Sequence, residues 1–121
     1  MLFSEILGQE HIKNHLTQSV DNGRIAHAQL FIGPEGSGTL PMAIAYAQFL
    51  LCNFSEDAGA CNIKCNKLQH PYLHFAFPVT TNDSVKKHAV SDLFLEDWRD
   101  FIATQPYGSL FNWLQHIGVE N

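Results

Sequence analysis

The sequence lacks several features that would assign it to a class of protein directly. No apolar run approaches the roughly 20 residues of a membrane-spanning helix, and the start, MLFSEILGQE, lacks the basic flank and cleavage site of a signal peptide. Basic residues are few, with 7 Lys and Arg against 12 Asp and Glu, and the formal net charge is −5. This balance argues against binding nucleic acid by direct phosphate neutralisation. We therefore expect a cytoplasmic protein with no membrane partner.

What the sequence does contain is an ordinary globular composition. Its 121 residues suffice for one domain at most, and 45% of them are hydrophobic, enough to form a core. Apolar periodicity predicts helices over 9–22, 39–52, 90–105 and 109–118, with Ser91 or Asp92 as the cap of the third. Short apolar runs at 28–32 and 74–79 predict strands, and the polar stretch 53–66 predicts an irregular excursion.

A glycine-rich segment, GPEGSGTL, joins the first predicted strand to the second predicted helix. Its glycines follow the phosphate-binding pattern G-x-x-x-x-G-K-[ST], in which the lysine reaches the terminal phosphates and the hydroxyl holds magnesium. Thr39 and Leu40 occupy those two positions, and Pro41 removes a further backbone N–H. We expect no tight Mg-ATP binding, no ATPase activity and no catalytic residue, although the main chain could still hold an anion. The predicted degenerate phosphate loop comprises Gly33, Gly36, Ser37, Gly38, Thr39 and Leu40.

Longer landmarks surround this loop. They are LGQ at 7–9, GRIAHA at 23–28, LFIGP at 30–34, and His70-Pro71 ahead of the second apolar run. Together they resemble the opening of the clamp-loader subunits of bacterial DNA polymerase III, up to about Pro78. Within that family the altered loop is similar to the delta prime type, whose nucleotide loop is commonly degenerate.

The resemblance implies an α/β fold, with a parallel sheet and flanking helices in an AAA+ P-loop domain. Residues 1–121 would be the N-terminal part of that domain, truncated before the sheet is complete, with a cysteine-containing insertion at about 52–70. The family's Walker B acidic strand and Ser-Arg-Cys motif are absent from the sequence. Apolar faces that the rest of the domain would cover are then expected to make the fragment self-associate.

The same resemblance implies a function in DNA replication. A delta prime-like chain would be a non-catalytic subunit that helps to load the sliding clamp onto primed DNA. Its partners would be the gamma/tau and delta subunits, with clamp and DNA reached through the assembly. Two alternatives stay open: an ATP-hydrolysing gamma/tau-like motor, and a small metal-binding module in which the phosphate-loop pattern is incidental.

Three cysteines lie in the insertion, spaced C-x8-C-x3-C as Cys52, Cys61 and Cys65. The family carries a four-cysteine zinc module here, and structural zinc takes four tetrahedral ligands. One interpretation makes His70, or less plausibly Asp57, the fourth ligand. The other is a decayed module with free thiols, because a disulfide framework is unusual in a reducing compartment.

Overall fold

A computed structural model of the chain describes residues 1–118. The chain divides into two compact units, Met1–Leu73 and His74–Asn121. Short 3₁₀ turns lie at Phe3–Glu5 and Ser91–Phe94. The α-helices of the described residues are α1 (Glu10–Asp21), α2 (Thr39–Cys52), α3 (Ala58–Asn66), α4 (Leu95–Thr104) and α5 (Leu110–His116). The four predicted helices are therefore confirmed to within a few residues, and α3 is an addition.

The core of the first unit forms between α1 and α2. Leu16 and Val20, one turn apart on α1, are buried against apolar residues of α2 and Ile6. Ile6 is held in place because the buried Lys13 ammonium on α1 donates a hydrogen bond of 2.6 Å to its carbonyl. Helix α2 is apolar on almost every side and is buried along most of its length, as expected for a helix that is covered on several faces.

Helix α3 corrects the prediction of an irregular excursion over 53–66. It begins after Asp57, whose carboxylate accepts a hydrogen bond of 3.0 Å from the Ala60 N–H and so caps the helix. Cys61 and Cys65 are spaced i,i+4, so they lie on one face of α3 and are buried against the end of α2. Burial of these two side chains stabilises a helix that sequence periodicity alone does not indicate.

Neither segment predicted as a strand is one in residues 1–118. A strand needs a neighbour that completes its hydrogen-bond ladder, and no described residue supplies one to Ala28–Ile32. Leu30 and Ile32 are 83% and 82% exposed, which corrects the expectation of a buried strand. In residues 74–79, backbone groups bond to side chains and not to a neighbouring strand. The Ser91 hydroxyl accepts from the Phe77 N–H and donates to its carbonyl, and the Trp113 indole donates to the Pro78 carbonyl.

The second unit has an aromatic core around α4 and α5. The rings of Phe77, Trp98, Phe101 and Trp113 meet at centroid distances between 4.3 and 6.1 Å. Helix α5 begins with a capping box, because the Ser109 hydroxyl accepts from the Asn112 N–H and the Asn112 side chain accepts from the Ser109 N–H. The predicted cap of the preceding helix is wrong, since α4 begins after Phe94 and Ser91 bonds to Phe77 instead.

Candidate functional site: a glycine loop and a cysteine cluster

The glycine-rich loop of the first unit is closed by a turn within itself. Ser37 donates from its N–H and its hydroxyl to the Pro34 carbonyl, at 3.1 and 2.6 Å. Gly36 and Gly38 take φ of 77° and 94°, values that a residue with a Cβ rarely adopts. The Ser37 N–H is therefore used to close the turn, although backbone N–H groups are what a phosphate-binding loop offers its ligand.

Gly33 is required by a close approach at the start of the loop. A Cβ at this position would lie 2.6 Å from the Ser37 Oγ and 2.8 Å from the Thr39 Cγ2. The loop folds back over the glycine, and the first residue of α2 completes the contact. The predicted loop residues therefore form one continuous structure, with Gly33 beneath the hydroxyl-bearing side chains of Ser37 and Thr39.

The end of the loop departs from the phosphate-binding pattern at two side chains. Thr39 and Leu40 form the first turn of α2, where N–H groups have no partner within the helix. Pro41 follows and has no N–H, while the Met42 N–H donates to the Gly38 carbonyl at 3.0 Å. The first turn thus lacks a lysine, has leucine in place of the magnesium-binding hydroxyl, and has one N–H fewer than usual.

A cavity of about 390 Å³ borders this loop. Side chains of α1, of the segment before the loop and of the start of α2 line it. Its lining residues include Ile12, His15, Leu30, Ile32, Ser37 and Thr39. The cavity is within the usual size range of small-molecule sites, which are mostly apolar with a few polar groups.

The three cysteines meet where α2 ends against α3. Cys52 and Cys61 form a disulfide, and the Cys65 thiol is free and buried. The sulfur atoms of Cys52 and Cys65 are 3.7 Å apart, and all three lie within 4.8 Å of one another. Burial raises the pKa of the Cys65 thiol above its usual value. The sequence interpretation of three free thiols is therefore wrong for two of them, since the helix packing brings Cys52 and Cys61 into bonding distance.

These residues fit a structural zinc site poorly. Tetrahedral zinc with bonds of about 2.3 Å places its sulfur ligands roughly 3.8 Å apart and takes four of them. The spacing of Cys52 and Cys65 matches, but Cys52 and Cys61 are bonded to each other. His70 does not join the three sulfurs; its Nδ1 accepts a hydrogen bond of 3.1 Å from the Tyr72 N–H. Asp57 caps α3. The described donor set is one ligand short of four.

A polar network beside the cysteines was not expected from the sequence. Gln48 lies one turn before Cys52 on the apolar helix α2 and is only 1% exposed. Its amide donates to the side-chain oxygens of Asn62 and Asn66 on α3, at 2.9 and 3.1 Å. Its carbonyl oxygen accepts from the Met1 amino group, whose pKa is lowered mainly by burial. A lone glutamine inside an apolar helix is the sequence signal that could have indicated this buried contact.

Sequence similarity to known proteins assigns the chain to a family. The family described as "DNA polymerase III, delta subunit" matches residues 8–106. Similar proteins include DNA polymerase III subunit gamma/tau of Mycobacterium bovis, 41% identical over 50% of this chain and 11% of its own length. DNA polymerase III subunit tau of Escherichia coli is 30% identical over 87% of this chain and 15% of its own length. No solved structure matches the chain.

These two matches cover 50% and 87% of this chain, and the chain spans only 11% and 15% of the length of those gamma/tau relatives. Among the described residues, no helix has the length and apolar character to cross a bilayer. The family match extends over the loop, the cysteine cluster and α4, and both similar proteins are subunits of DNA polymerase III by name. The chain therefore belongs to the DNA polymerase III delta subunit family and is homologous to gamma/tau subunits.

Proposed function

We propose that this chain is a non-catalytic, delta prime-like clamp-loader subunit that helps to load the sliding clamp onto primed DNA. In this role its function depends on contacts with gamma/tau and delta subunits, in the cytoplasm, and not on turnover of ATP. The net charge of −5 supports contact with DNA through the assembly over direct binding. Co-elution with those subunits in size-exclusion chromatography tests the partners, and elution of this chain at its own position would contradict them.

The observation that carries the proposal is the end of the glycine loop. A charge-assisted contact of the kind a lysine makes with phosphate contributes about 1.5–3 kcal/mol, or roughly ten- to a hundredfold in affinity. Thr39 cannot make that contact, and Leu40 offers no oxygen to magnesium. The Ser37 N–H is already bonded to Pro34, which removes a further donor. We therefore expect the loop to connect the segment before it to α2 in a fixed conformation, without binding a nucleotide.

The fold that goes with this proposal is an AAA+ P-loop domain of the α/β class. Residues 28–32 would be a strand of a parallel sheet in it. The order of apolar segment, glycine loop and helix supports it, as does the exposure of Leu30 and Ile32. Exposed apolar side chains at alternate positions are what a strand presents to covering layers. A structure of the assembled subunit with 28–32 outside any sheet would contradict this.

Calorimetric titration with Mg-ATP tests the loop directly. The unaltered chain should give little heat and no hydrolysis. The double variant Thr39→Lys, Leu40→Thr should bind at least about tenfold more tightly, because it restores the phosphate contact and the magnesium oxygen. The matched control Thr80→Lys adds the same charge in the second unit and should behave as the unaltered chain. Tight binding with turnover by the unaltered chain would overturn the proposal.

A gamma/tau-like motor is the second candidate, favoured by the 41% identity to a gamma/tau subunit and by the cavity beside the loop. The two candidates differ in hydrolysis, which only the motor carries out. The third candidate, a metal-binding module, depends on the three converging sulfurs. Stoichiometric zinc in the reduced chain, with no effect of nucleotide on stability, would favour it.

A further inference from the structure

The cysteine cluster brings a disulfide into contact with a free thiol. Cys52 is the last residue of α2, and Cys61 and Cys65 follow one turn apart on α3. All three side chains are at most 7% exposed. The Cys65 Sγ lies 3.7 Å from the Cys52 Sγ, which is already bonded to Cys61. The two thiol partners of Cys52 are therefore held on one helix face, at the same end of α2.

We propose that Cys52, Cys61 and Cys65 form a thiol–disulfide exchange site in which Cys52 pairs alternately with Cys61 and Cys65. Because burial raises the pKa of the Cys65 thiol, its thiolate becomes more abundant, and exchange faster, as the pH rises. That thiolate attacks the Cys52 sulfur, and a Cys52–Cys65 bond forms as the Cys52–Cys61 bond breaks. Cys61 leaves as a thiolate and takes up the proton that Cys65 has released. Two sulfurs are linked before and after, so this step needs no oxidant or reductant.

The Cys65 and Cys52 sulfurs are in contact, and the Cys65 and Cys61 sulfurs lie within 4.8 Å of each other, so the three form a triangle. Exchange needs the three sulfurs in line, so the Cys52 side chain rotates before Cys65 attacks. Holding the attacking and attacked atoms close together makes the reaction intramolecular and raises its rate. The contact runs from Cys65 to Cys52, so Cys52 is the sulfur that both pairings share. Exchange moves the link by one turn along α3, a small change for a helix already packed against α2.

A cavity of about 280 Å³ borders the cluster at Cys52, and Phe3, Phe49 and Asn62 are among its other lining residues. A dithiol reductant entering there would give two electrons to the disulfide, becoming a cyclic disulfide itself and leaving three protein thiols. The same three sulfurs lack the fourth ligand of structural zinc. The contact between a free thiol and a disulfide is what points to redox chemistry at this cluster.

The tryptic map of the chain distinguishes the two pairings, because Lys64 separates Cys61 from Cys65. Cleavage after Arg24, Lys64 and Lys67 leaves Cys52 and Cys61 together in peptide 25–64 and Cys65 alone in peptide 65–67. The reduced chain is oxidised in a graded glutathione buffer, quenched with acid, alkylated and digested. We expect both the internal link in 25–64 and the link between the two peptides, and in the linked pair fragmentation should locate the alkyl group on Cys61, which shows that Cys52 is the bonded partner. Recovery of the internal link alone at every potential would contradict exchange.

Two variants separate exchange from chance oxidation. Cys61→Ser should form the Cys52–Cys65 link at least about tenfold faster folded than in urea, because the fold holds these sulfurs together. The matched variant Cys65→Ser should lose the link between the peptides entirely. Equal rates in buffer and urea for Cys61→Ser would overturn the proposal. So would stoichiometric zinc that protects all three wild-type thiols from alkylation until a chelator is added, a measurement that needs no variant.

Discussion

The ring of Phe77 lies parallel to the indole of Trp98, with centroids 4.3 Å apart and planes 8° from each other. Phe77 belongs to the segment before α4, and Trp98 is the fourth residue of α4. The Trp113 indole meets both rings edge-on, at 5.1 Å from each. This arrangement connects the irregular start of the second unit to both of its helices, so the unit depends on a few large side chains.

Replacing Phe77 with Ala should destabilise the second unit by about 3–5 kcal/mol, because it removes a buried ring and leaves a cavity beside Trp98. The control Phe111→Ala removes a ring that is 47% exposed and should cost much less. The chain has 2 tryptophans, Trp98 and Trp113, and both lie in the second unit. Tryptophan fluorescence during urea denaturation therefore follows this unit directly. Equal urea midpoints for Phe77→Ala and Phe111→Ala would show that the Phe77 ring does not stabilise the second unit.

Replacing Gly33 with Ala should destabilise the first unit by about 1–3 kcal/mol, because the added carbon would meet the Ser37 hydroxyl at 2.6 Å. Gly59→Ala is the matched control, since its Cβ would meet nothing closer than 3.6 Å. Gly59 lies within α3, where alanine is favoured over glycine by up to about 1 kcal/mol. The two variants should shift thermal unfolding, followed by circular dichroism, in opposite directions. A stabilised Gly33→Ala would show that the loop does not close as described.

Replacing Gln48 with Ala should lower the free energy of unfolding of the first unit by about 1–3 kcal/mol, because Asn62 and Asn66 on α3 lose their buried partner. The control Gln18→Ala changes an exposed glutamine on α1 and should stay within about 0.5 kcal/mol of the unaltered chain. A double-mutant cycle with Asn62→Ala isolates the pair, and we expect a coupling of about 0.5–1.5 kcal/mol. Strict additivity would mean that Gln48 does not connect α2 to α3.

Four helices could be predicted from the sequence because their signals are local. On α1, Leu16 and Val20 recur at helical spacing, and Gly23 follows its end. Helix α3 lacked such a signal, since its stability depends on the Asp57 cap and on burial of Cys61 and Cys65 against another helix. The segments at 28–32 and 74–79 have strand-like composition, but a strand exists only with a neighbour. Composition cannot supply that neighbour.

For the candidate site, the loop could be located from its glycines and their place before an apolar helix. Its internal turn could not, because the bond from Ser37 to Pro34 depends on backbone angles that several glycine-rich turns allow. The three cysteines were identified as a group from proximity in the sequence. Their pairing could not be predicted, since three residues allow three disulfides and only the packing of α3 on α2 selects Cys52 with Cys61.

The exposed segment before the loop predicts self-association of this chain. Leu30 and Ile32 are 83% and 82% exposed, next to an apolar cavity, and apolar surface of this kind promotes association. The unaltered chain should show a mass above the monomer by light scattering at high concentration, and Leu30→Lys with Ile32→Lys should return it to the monomer. The control Ile63→Lys adds charge at a residue that is 59% exposed on α3 and should leave the mass unchanged. A monomeric mass for the unaltered chain would count against this prediction. A monomeric mass for Ile63→Lys would show that the chain associates through α3 and not through Leu30 and Ile32.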